Sequence, residues 1–382
     1  MYKRQARSRL PTHALRRQRK RAMKQGRHVH VVGTGTIGEP LIGLLSDFRQ
    51  DFGIDTVSFH KRTPLTTERA KVKNLLDRGA LLCTDPQSIP KFEDQGLKVS
   101  WDAEEAIARA SVVIDCTPSG VGQANKQQYY DRHKDTTIGF VAQGSEFGFG
   151  KMYARGVNDR ALKHGEDQFV QVVSCNTHNV AVLLNTIALS DDRPENLIEG
   201  KFLLMRRSSD ISQDEDFIPA PKVGKHDDPV FGTHHARDAY HLFQTLGYKL
   251  NIFSSAIKLP TQYMHCLWFN IKLGERVTLN QVIQRLQDNP RIALTEKRSA
   301  NQIFSFGRDH GHYGRILSQT VVVVPTLQVR ERDGETEIIG FSYTPQDGNP
   351  LLSSVAVASW FLYPEEYEKR LKCLRPFLFQ EV

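Results

Sequence analysis

The amino-acid sequence predicts an α/β protein in two folded parts, an N-terminal domain on a mostly parallel sheet followed by an α+β domain. Three observations carry this. A short apolar run, His28-Val29-His30-Val31-Val32, leads directly into Gly33-Thr34-Gly35-Thr36-Ile37-Gly38 and a helix-period pattern with Leu41, Ile42, Leu44, Leu45 and Phe48. A second run, residues 111–116, reads as a buried parallel strand that stops at the turn Thr117-Pro118-Ser119-Gly120. A third, residues 169–173, delivers Cys175 into a small polar turn ahead of the helix-like residues 180–189. Strands alternating with helices in this way build a parallel sheet.

With 382 residues there is room for two cores. A hydrophobic content of 39% with 25% charged residues is that of an ordinary globular chain. No apolar run approaches the length of a membrane span. The five cysteines (83, 116, 175, 266 and 373) show no paired spacing, which argues against a zinc site or disulfide framework. A reducing, cytoplasmic setting is the expectation.

The net charge of +8 is unevenly placed. Residues 1–27 hold eleven Lys/Arg and no Asp or Glu, so residues 28–382 carry a net −3. That arm has few large apolar residues and is expected to be disordered. It lacks the apolar core of a secretory signal. A nucleic-acid or polyanion arm, an Arg-rich targeting peptide and a solvated tail all stay open.

A strand, G-x-G-x-x-G and a helix in succession form the fingerprint of a dinucleotide site, and the first domain is therefore expected to be a Rossmann domain. The glycines let a pyrophosphate approach the backbone, and the helix N-terminus stabilises its charge. The second strand, near residues 56–59, ends at His60-Lys61-Arg62-Thr63 where an NAD site carries an acidic residue. Lys61 and Arg62 suit a 2′-phosphate, so NADP is the expected cofactor, with NAD possible. Thr117, Pro118 and Gly120 should border the cofactor. So should Gln143-Gly144-Ser145, which follows a further strand at 138–142. Cys116 reads as a packed strand residue.

Cys175 is the expected nucleophile. A cysteine at a helix N-terminus meets unpaired N–H groups and the positive dipole end, both of which favour the thiolate. Beyond it a strand at 201–205 ends at Arg206-Arg207, read as a fork for a phosphate. His234-His235 lies in a polar stretch just ahead of a helical segment at 239–246 and is placed to hydrogen-bond a substrate. Two adjacent histidines lack a metal's remaining ligands, so no metal is expected. His265 opens a strand through Leu273 and is the base candidate by residue type. Its neighbour Cys266 should point to the other face and join the core.

Together these segments resemble the archaeal-type (type II) glyceraldehyde-3-phosphate dehydrogenases. The resemblance is carried by Gly33-Thr34-Gly35-Thr36-Ile37-Gly38, Ile114-Asp115-Cys116-Thr117-Pro118-Ser119-Gly120-Val121-Gly122, Val172-Val173-Ser174-Cys175-Asn176-Thr177, Arg206-Arg207, His234-His235, Met264-His265 and Asn289-Pro290-Arg291-Ile292. These stand in the same order over about residues 28–362. The resemblance implies Cys175 as nucleophile and His265 as general base. It also implies cofactor contacts at Thr36, Ile37, Ser145, Arg207 and Gln346, and substrate contacts at Ser174, Asn176, Thr177, His235 and Ala236.

The implied reaction is the reversible phosphorylating oxidation of glyceraldehyde 3-phosphate, with inorganic phosphate as second substrate, in glycolysis or gluconeogenesis. A homotetramer is implied as well. The chain departs from the family at Ser145, at His178, in Pro345-Gln346-Asp347-Gly348 and in the arm. These departures keep two alternatives in play: another phosphorylated or acyl-phosphate semialdehyde as substrate, and a polyanion- or RNA-binding protein on a retired scaffold. The expected divisions are the arm at 1–27, a nucleotide domain at 28–172, a catalytic domain at 173–344, and a C-terminal helix at 345–382 that returns to the nucleotide domain.

Overall fold

The computed structural model describes residues 26–144, 146–189, 192–210, 218–345 and 347–382. The predicted arm therefore lies outside the described residues, except for Gly26 and Arg27. The Arg27 N–H donates to Asp55 Oδ2 at 2.8 Å, and its guanidinium lies 4.7 Å from the centre of the Tyr363 ring.

Eight strands form the first sheet: β1 (His28–Val32), β2 (Thr56–His60), β3 (Leu81–Thr84), β4 (Val99–Asp102), β5 (Val112–Asp115), β6 (Gly139–Gln143), β7 (Lys151–Tyr153) and β8 (Phe169–Val172). Their order is β4-β3-β2-β1-β5-β6-β8-β7, with every pairing parallel. This is a Rossmann-like sheet. Strand order reverses between β1 and β5, and that reversal opens a crevice at the carboxyl ends of the strands. Helix α1 (Gly38–Asp47) follows β1 and buries Leu41, Ile42, Leu44 and Leu45, so the helical period read from the sequence is its packing face. Helix α2 (Val121–Gln128) follows β5.

The second sheet is mixed, as expected of an α+β part. It contains β9 (Leu197–Arg206), β10 (Lys222–Val223), β11 (Ile252–Lys258), β12 (His265–Leu273), β13 (Ile292–Thr295), β14 (Thr320–Val323), β15 (Gln328–Arg332) and β16 (Glu335–Thr344). The order is β10-β11-β9-β12-β16-β14-β13, with β15 on β16. Helices α3 (Cys175–Ile187) and α4 (His234–Gln244) cover one face, where Leu267, Phe269 and Ile271 of β12 join Val180, Leu183 and Leu184 of α3 in one core. Residues alternate across β12, buried and half-buried in turn. Cys266 does face away from His265, onto a smaller cluster that includes Ile303 of the helix Ala300–His310. It is half-buried there, where the sequence predicted a core residue.

Helix α5 (Gly348–Leu362) returns to the first sheet and packs on β5, β6 and β8 while also touching α1 and α3. Leu351, Leu352, Val355, Ala358 and Phe361 lie in the same core as Val29, Ile114 and Val170. Gly139 of β6 is open on the side where Phe361 sits, and a Cβ there would overlap the ring.

Candidate active site

The glycine turn after β1 has the shape a pyrophosphate needs. Gly33 has φ +99°, and a Cβ on it would come 3.0 Å from the Cys116 carbonyl oxygen. A Cβ on Gly38 would overlap the Gly33 carbonyl oxygen. Gly35 faces open space, and no side chain caps α1, whose N-terminus points at the turn. The residues present fit a dinucleotide. The N-terminus of α2 differs: the buried carboxylate of Glu146 accepts from Gln123 N–H at 2.9 Å and from Gly120 N–H, so a protein anion already occupies it.

A cleft of about 550 Å³ runs from the glycine turn past Thr34, Lys61, Arg62, Thr117, Pro118 and Tyr129. Thr117 is fixed by its N–H donating to Asp115 Oδ1 at 2.9 Å. Gly144, with φ +72°, ends β6 and would meet nothing with an added Cβ. Ser145 and Gln346 lie outside the described residues. Lys61 departs from the sequence reading: it is only 7% exposed, is ion-paired with Glu68 and lies 3.5 Å from Thr34 Oγ1. Arg62 is exposed and makes no ion pair among the described residues. Glu68 thus puts into this cleft the acidic group that the end of β2 lacks.

The second cluster is built where α3, β9, β12 and β16 meet. Ser174 is the N-cap of α3, its Oγ accepting from Thr177 N–H at 3.3 Å, and Cys175 is the first helical residue. Asn176 Oδ1 accepts from Thr344 Oγ1 at 3.2 Å, and its Nδ2 lies 3.5 Å from His235 Nε2. Thr344 is also the cross-strand partner of His265. Thus Thr344 ties the cysteine turn to the head of β12. The Arg207 N–H donates to His265 Nδ1 at 3.1 Å, which leaves the proton of the neutral imidazole on Nε2. His265 and Cys175 are not hydrogen-bonded to each other.

Three expectations change at this cluster. Helix α3 does place Cys175 at its N-terminus, yet burial, aided by Asp347, pushes the thiol up to about 12 against the pull of Arg207. Desolvation outweighs the helix dipole here. Arg206 and Arg207 are not a fork, because they lie on alternate sides of a strand end. Arg206 is exposed, while Arg207 is buried on Asp210 at 2.7 Å and Asp347 at 3.6 Å. His234 and His235 are the first two residues of α4 and do not precede it. Their rings lie 3.9 Å apart, and burial holds His234 near 4 and His235 well below its usual range. Both are therefore neutral donors or acceptors with no charge to offer a phosphate. Ala236 N–H is already taken by Ser254 Oγ at 3.1 Å. Burial and the two arginines also hold His265 well below its usual value.

The chain is 28% identical over 275 residues to the glyceraldehyde-3-phosphate dehydrogenase of Methanobacterium bryantii, covering 70% of this chain and 73% of that protein. It is 29% identical over 322 residues to that of Methanobacterium formicicum, covering 80% and 86%. With that of Archaeoglobus fulgidus it shares 27% over 292 residues, covering 74% and 78%. The chain is related to the archaeal-type glyceraldehyde-3-phosphate dehydrogenases. No family model matches it.

Within this relative of the archaeal dehydrogenases, the sequence reading missed two residues that join the clusters. Asp347 is buried with φ +52° and raises the Cys175 thiol more than any other charged group. Its own carboxyl is raised by burial, with Arg207 and Arg315 opposing. Arg315 donates to the Thr36 carbonyl at 3.3 Å, so Arg315, Asp347 and Arg207 run from the glycine turn to Cys175. The departure at 345–348 was the available signal for Asp347; nothing local marks Arg315. His178, the other departure, is no site residue. It is fully buried, with Nδ1 donating to the Ser174 carbonyl at 3.0 Å and Nε2 accepting from Ser353 Oγ at 2.7 Å.

Proposed function

We propose that the chain oxidises glyceraldehyde 3-phosphate to the acyl phosphate, reversibly, with a nicotinamide cofactor and inorganic phosphate. The observation that carries this reading is Cys175 at a helix N-terminus, in one electrostatic neighbourhood with Arg207, Asp347 and Arg315, the last of which touches the glycine turn.

In this reading Gly33, Gly35, Thr36, Ile37 and Gly38 hold the pyrophosphate. Thr117, Gly144, Ser145, Arg207 and Gln346 line the cofactor's path. A bound nicotinamide supplies a hydride acceptor. The Cys175 thiol gives its proton to solvent water, and the thiolate attacks the aldehyde carbon to give a thiohemiacetal oxyanion. That oxyanion receives hydrogen bonds from the first N–H groups of α3. His265 Nε2–H is the second donor to it, because Arg207 N–H occupies Nδ1. Hydride loss leaves a thioester on Cys175. Phosphate then attacks the thioester carbonyl and releases the thiolate. This makes His265 a donor where the sequence reading had a general base. Ser174, Asn176, Thr177, Arg206, His234, His235 and Ala236 form the substrate wall.

NADP is the proposed cofactor on the strength of Arg62, with NAD as second cofactor because Glu68 can accept from ribose hydroxyls in the same cleft. The proposed boundary between nucleotide and catalytic domains is at 172/173, with residues 345–382 returning. Leu203, Trp268 and Phe341 stand in register across β9, β12 and β16 as a half-exposed row, and a homotetramer would bury such a row. No described helix is long and apolar enough to cross a membrane, and the five cysteines are free, which supports a cytoplasmic setting.

The deciding experiment is cofactor reduction with glyceraldehyde 3-phosphate, with and without phosphate, with NADP and NAD in parallel. Turnover only on another semialdehyde would replace the substrate assignment. Salt-sensitive RNA binding lost on deleting residues 1–27, without turnover, would replace the enzyme reading.

A further inference from the structure

A second charged cavity lies apart from the crevice. It is a cleft of about 720 Å³ between the Asn289-Pro290-Arg291-Ile292 segment and the chain end, lined by Arg155, Arg291, Lys372 and Arg375 over an apolar floor that includes Leu352 and Phe379. Arg155 is satisfied by Asp159 at 2.7 Å and Glu368 at 2.5 Å. Arg291, Lys372 and Arg375 make no ion pair among the described residues, and Glu368, the carboxylate lining this cleft, is already bound to Arg155. Three cations without an ion pair among the described residues line one concavity, a charge arrangement that attracts an anion. Arg291 is half-buried and, through desolvation and then repulsion from Arg155, is held below the usual arginine value. An anion beside it would relieve both.

Two residues that line the cleft, Arg155 and Arg291, are wired to the nucleophile's peptide by two hydrogen-bonded routes. On one, Arg155 N–H donates to Ser353 Oγ at 3.0 Å, Ser353 bonds His178 Nε2 at 2.7 Å, and His178 Nδ1 bonds the Ser174 carbonyl at 3.0 Å. On the other, Gln319 bonds the Arg155 carbonyl through Nε2 at 2.7 Å and the Arg291 carbonyl through its N–H at 2.6 Å. Asn349 Nδ2 then bridges the Gln319 carbonyl at 3.0 Å to the Cys175 carbonyl at 2.9 Å. A shift of Arg155 therefore reaches the backbone on both sides of the Cys175 Cα, and a shift of Arg291 reaches the Cys175 carbonyl.

We propose that this cleft binds a small anion carrying two or more phosphate groups, and that its occupancy changes the reactivity of Cys175 through Ser353 and Asn349. The cleft is large enough for a small molecule and its charge faces one concavity, which favours a compact polyanion. Binding is an equilibrium property of the whole chain and does not depend on the dehydrogenase reading.

The test uses pyrophosphate as probe, with citrate as a polycarboxylate arm, by titration calorimetry at constant ionic strength. The expected result is one saturable pyrophosphate site per chain, weakened at least tenfold in Lys372→Ala/Arg375→Ala, two exposed positions whose truncation leaves the core intact. Citrate binding with equal affinity would widen the ligand class to polyanions at large and overturn the phosphate assignment. Saturating pyrophosphate should also change the rate of iodoacetamide alkylation at Cys175 at least twofold in the parent chain and not in the double variant. Ser353→Ala should bind pyrophosphate but lose at least part of that change. No saturable binding, or binding and alkylation that are the same in the double variant, overturns the proposal. So does a double variant that only alters the sedimentation coefficient, which would make the cleft a contact between copies.

Discussion

The glycine turn at α1 and the cysteine turn at α3 are both helix N-termini at strand ends, yet they are prepared in opposite ways. The first is shaped for its ligand in advance: Gly35 opens to solvent, no side chain caps the helix, and two glycines remove the atoms that would block it. The second is capped by Ser174 and half-buried, and its thiol is held protonated. A helix N-terminus attracts an anion only to the extent that water or a ligand can reach it. The dipole contributes about 0.3–1 kcal/mol, up to about 2 in the best buried cases. Raising a thiol from 9.0 to about 12 corresponds to roughly 4 kcal/mol in the other direction. Burial wins at Cys175, so thiolate formation has to wait for a change that adds positive charge or removes Asp347's influence.

The largest expected effect tests the cysteine turn. Cys175→Ser should reduce turnover to background while leaving NADP affinity unchanged, measured by stopped-flow reduction and by fluorescence titration. Full activity would end the covalent mechanism.

His265 separates donor from base. His265→Ala should slow turnover by about 10²–10³-fold, the usual loss of an oxyanion donor. His265→Gln keeps an N–H donor and should recover at least tenfold of that. Equal rates for the two variants would return His265 to the role of base.

At the glycine end the effects should fall on affinity alone. Arg62→Ala should weaken NADP binding by roughly 1.5–3 kcal/mol and NAD binding hardly at all, as for a charge-assisted bond. Lys61→Ala should cost less, since Glu68 already holds that cation. Glu68→Gln should weaken NAD more than NADP. Affinities that move together for both cofactors would break the assignment.

The smallest effect is on stability against pH. Burial holds His178 near 4 from an ordinary 6.5. Its neutral form stabilises the fold fully above about pH 6.5, and that contribution is lost as pH falls toward 4, for a total of about 3 kcal/mol. Thermal melts between pH 7 and 4 should fall less steeply in His178→Gln than in the parent chain. Parallel slopes would mean that His178 is not buried as described.

What could be read from the sequence was local. The glycine turn was legible because its requirement for small residues is met within six positions, β1, β5 and β8 followed from short, mostly apolar runs, and α1 followed from its helical period. Arg206-Arg207 was misread because the alternation of a strand separates neighbours, a rule that was available but not applied at the strand's end. The ion pair of Lys61 depends on a short 3-10 turn, Thr66–Glu68, folding back over β2. No periodicity announces such a contact. Asp347 and Arg315 enter the site from 172 and 140 residues beyond Cys175, and tertiary packing alone brings them there. His178 looked like a substrate-side departure because its partner, Ser353, sits on a helix that returns from the chain end.

That returning helix also sets an order of events at the ribosome. Fourteen of the fifteen residues of α5 are buried, and the first sheet's core includes eight of them. Chain emerges from its N-terminus, so β1 through β8 are synthesised well before the apolar surface that covers β5, β6 and β8 exists. Until about residue 362 has cleared the exit tunnel, those strands expose the face that Phe361 and Val355 later fill. The nucleotide half is thus a late-maturing unit despite being made first. A nascent chain stalled short of α5 should be held by chaperones and cleaved by protease, whereas one released after it should resist digestion as a single body.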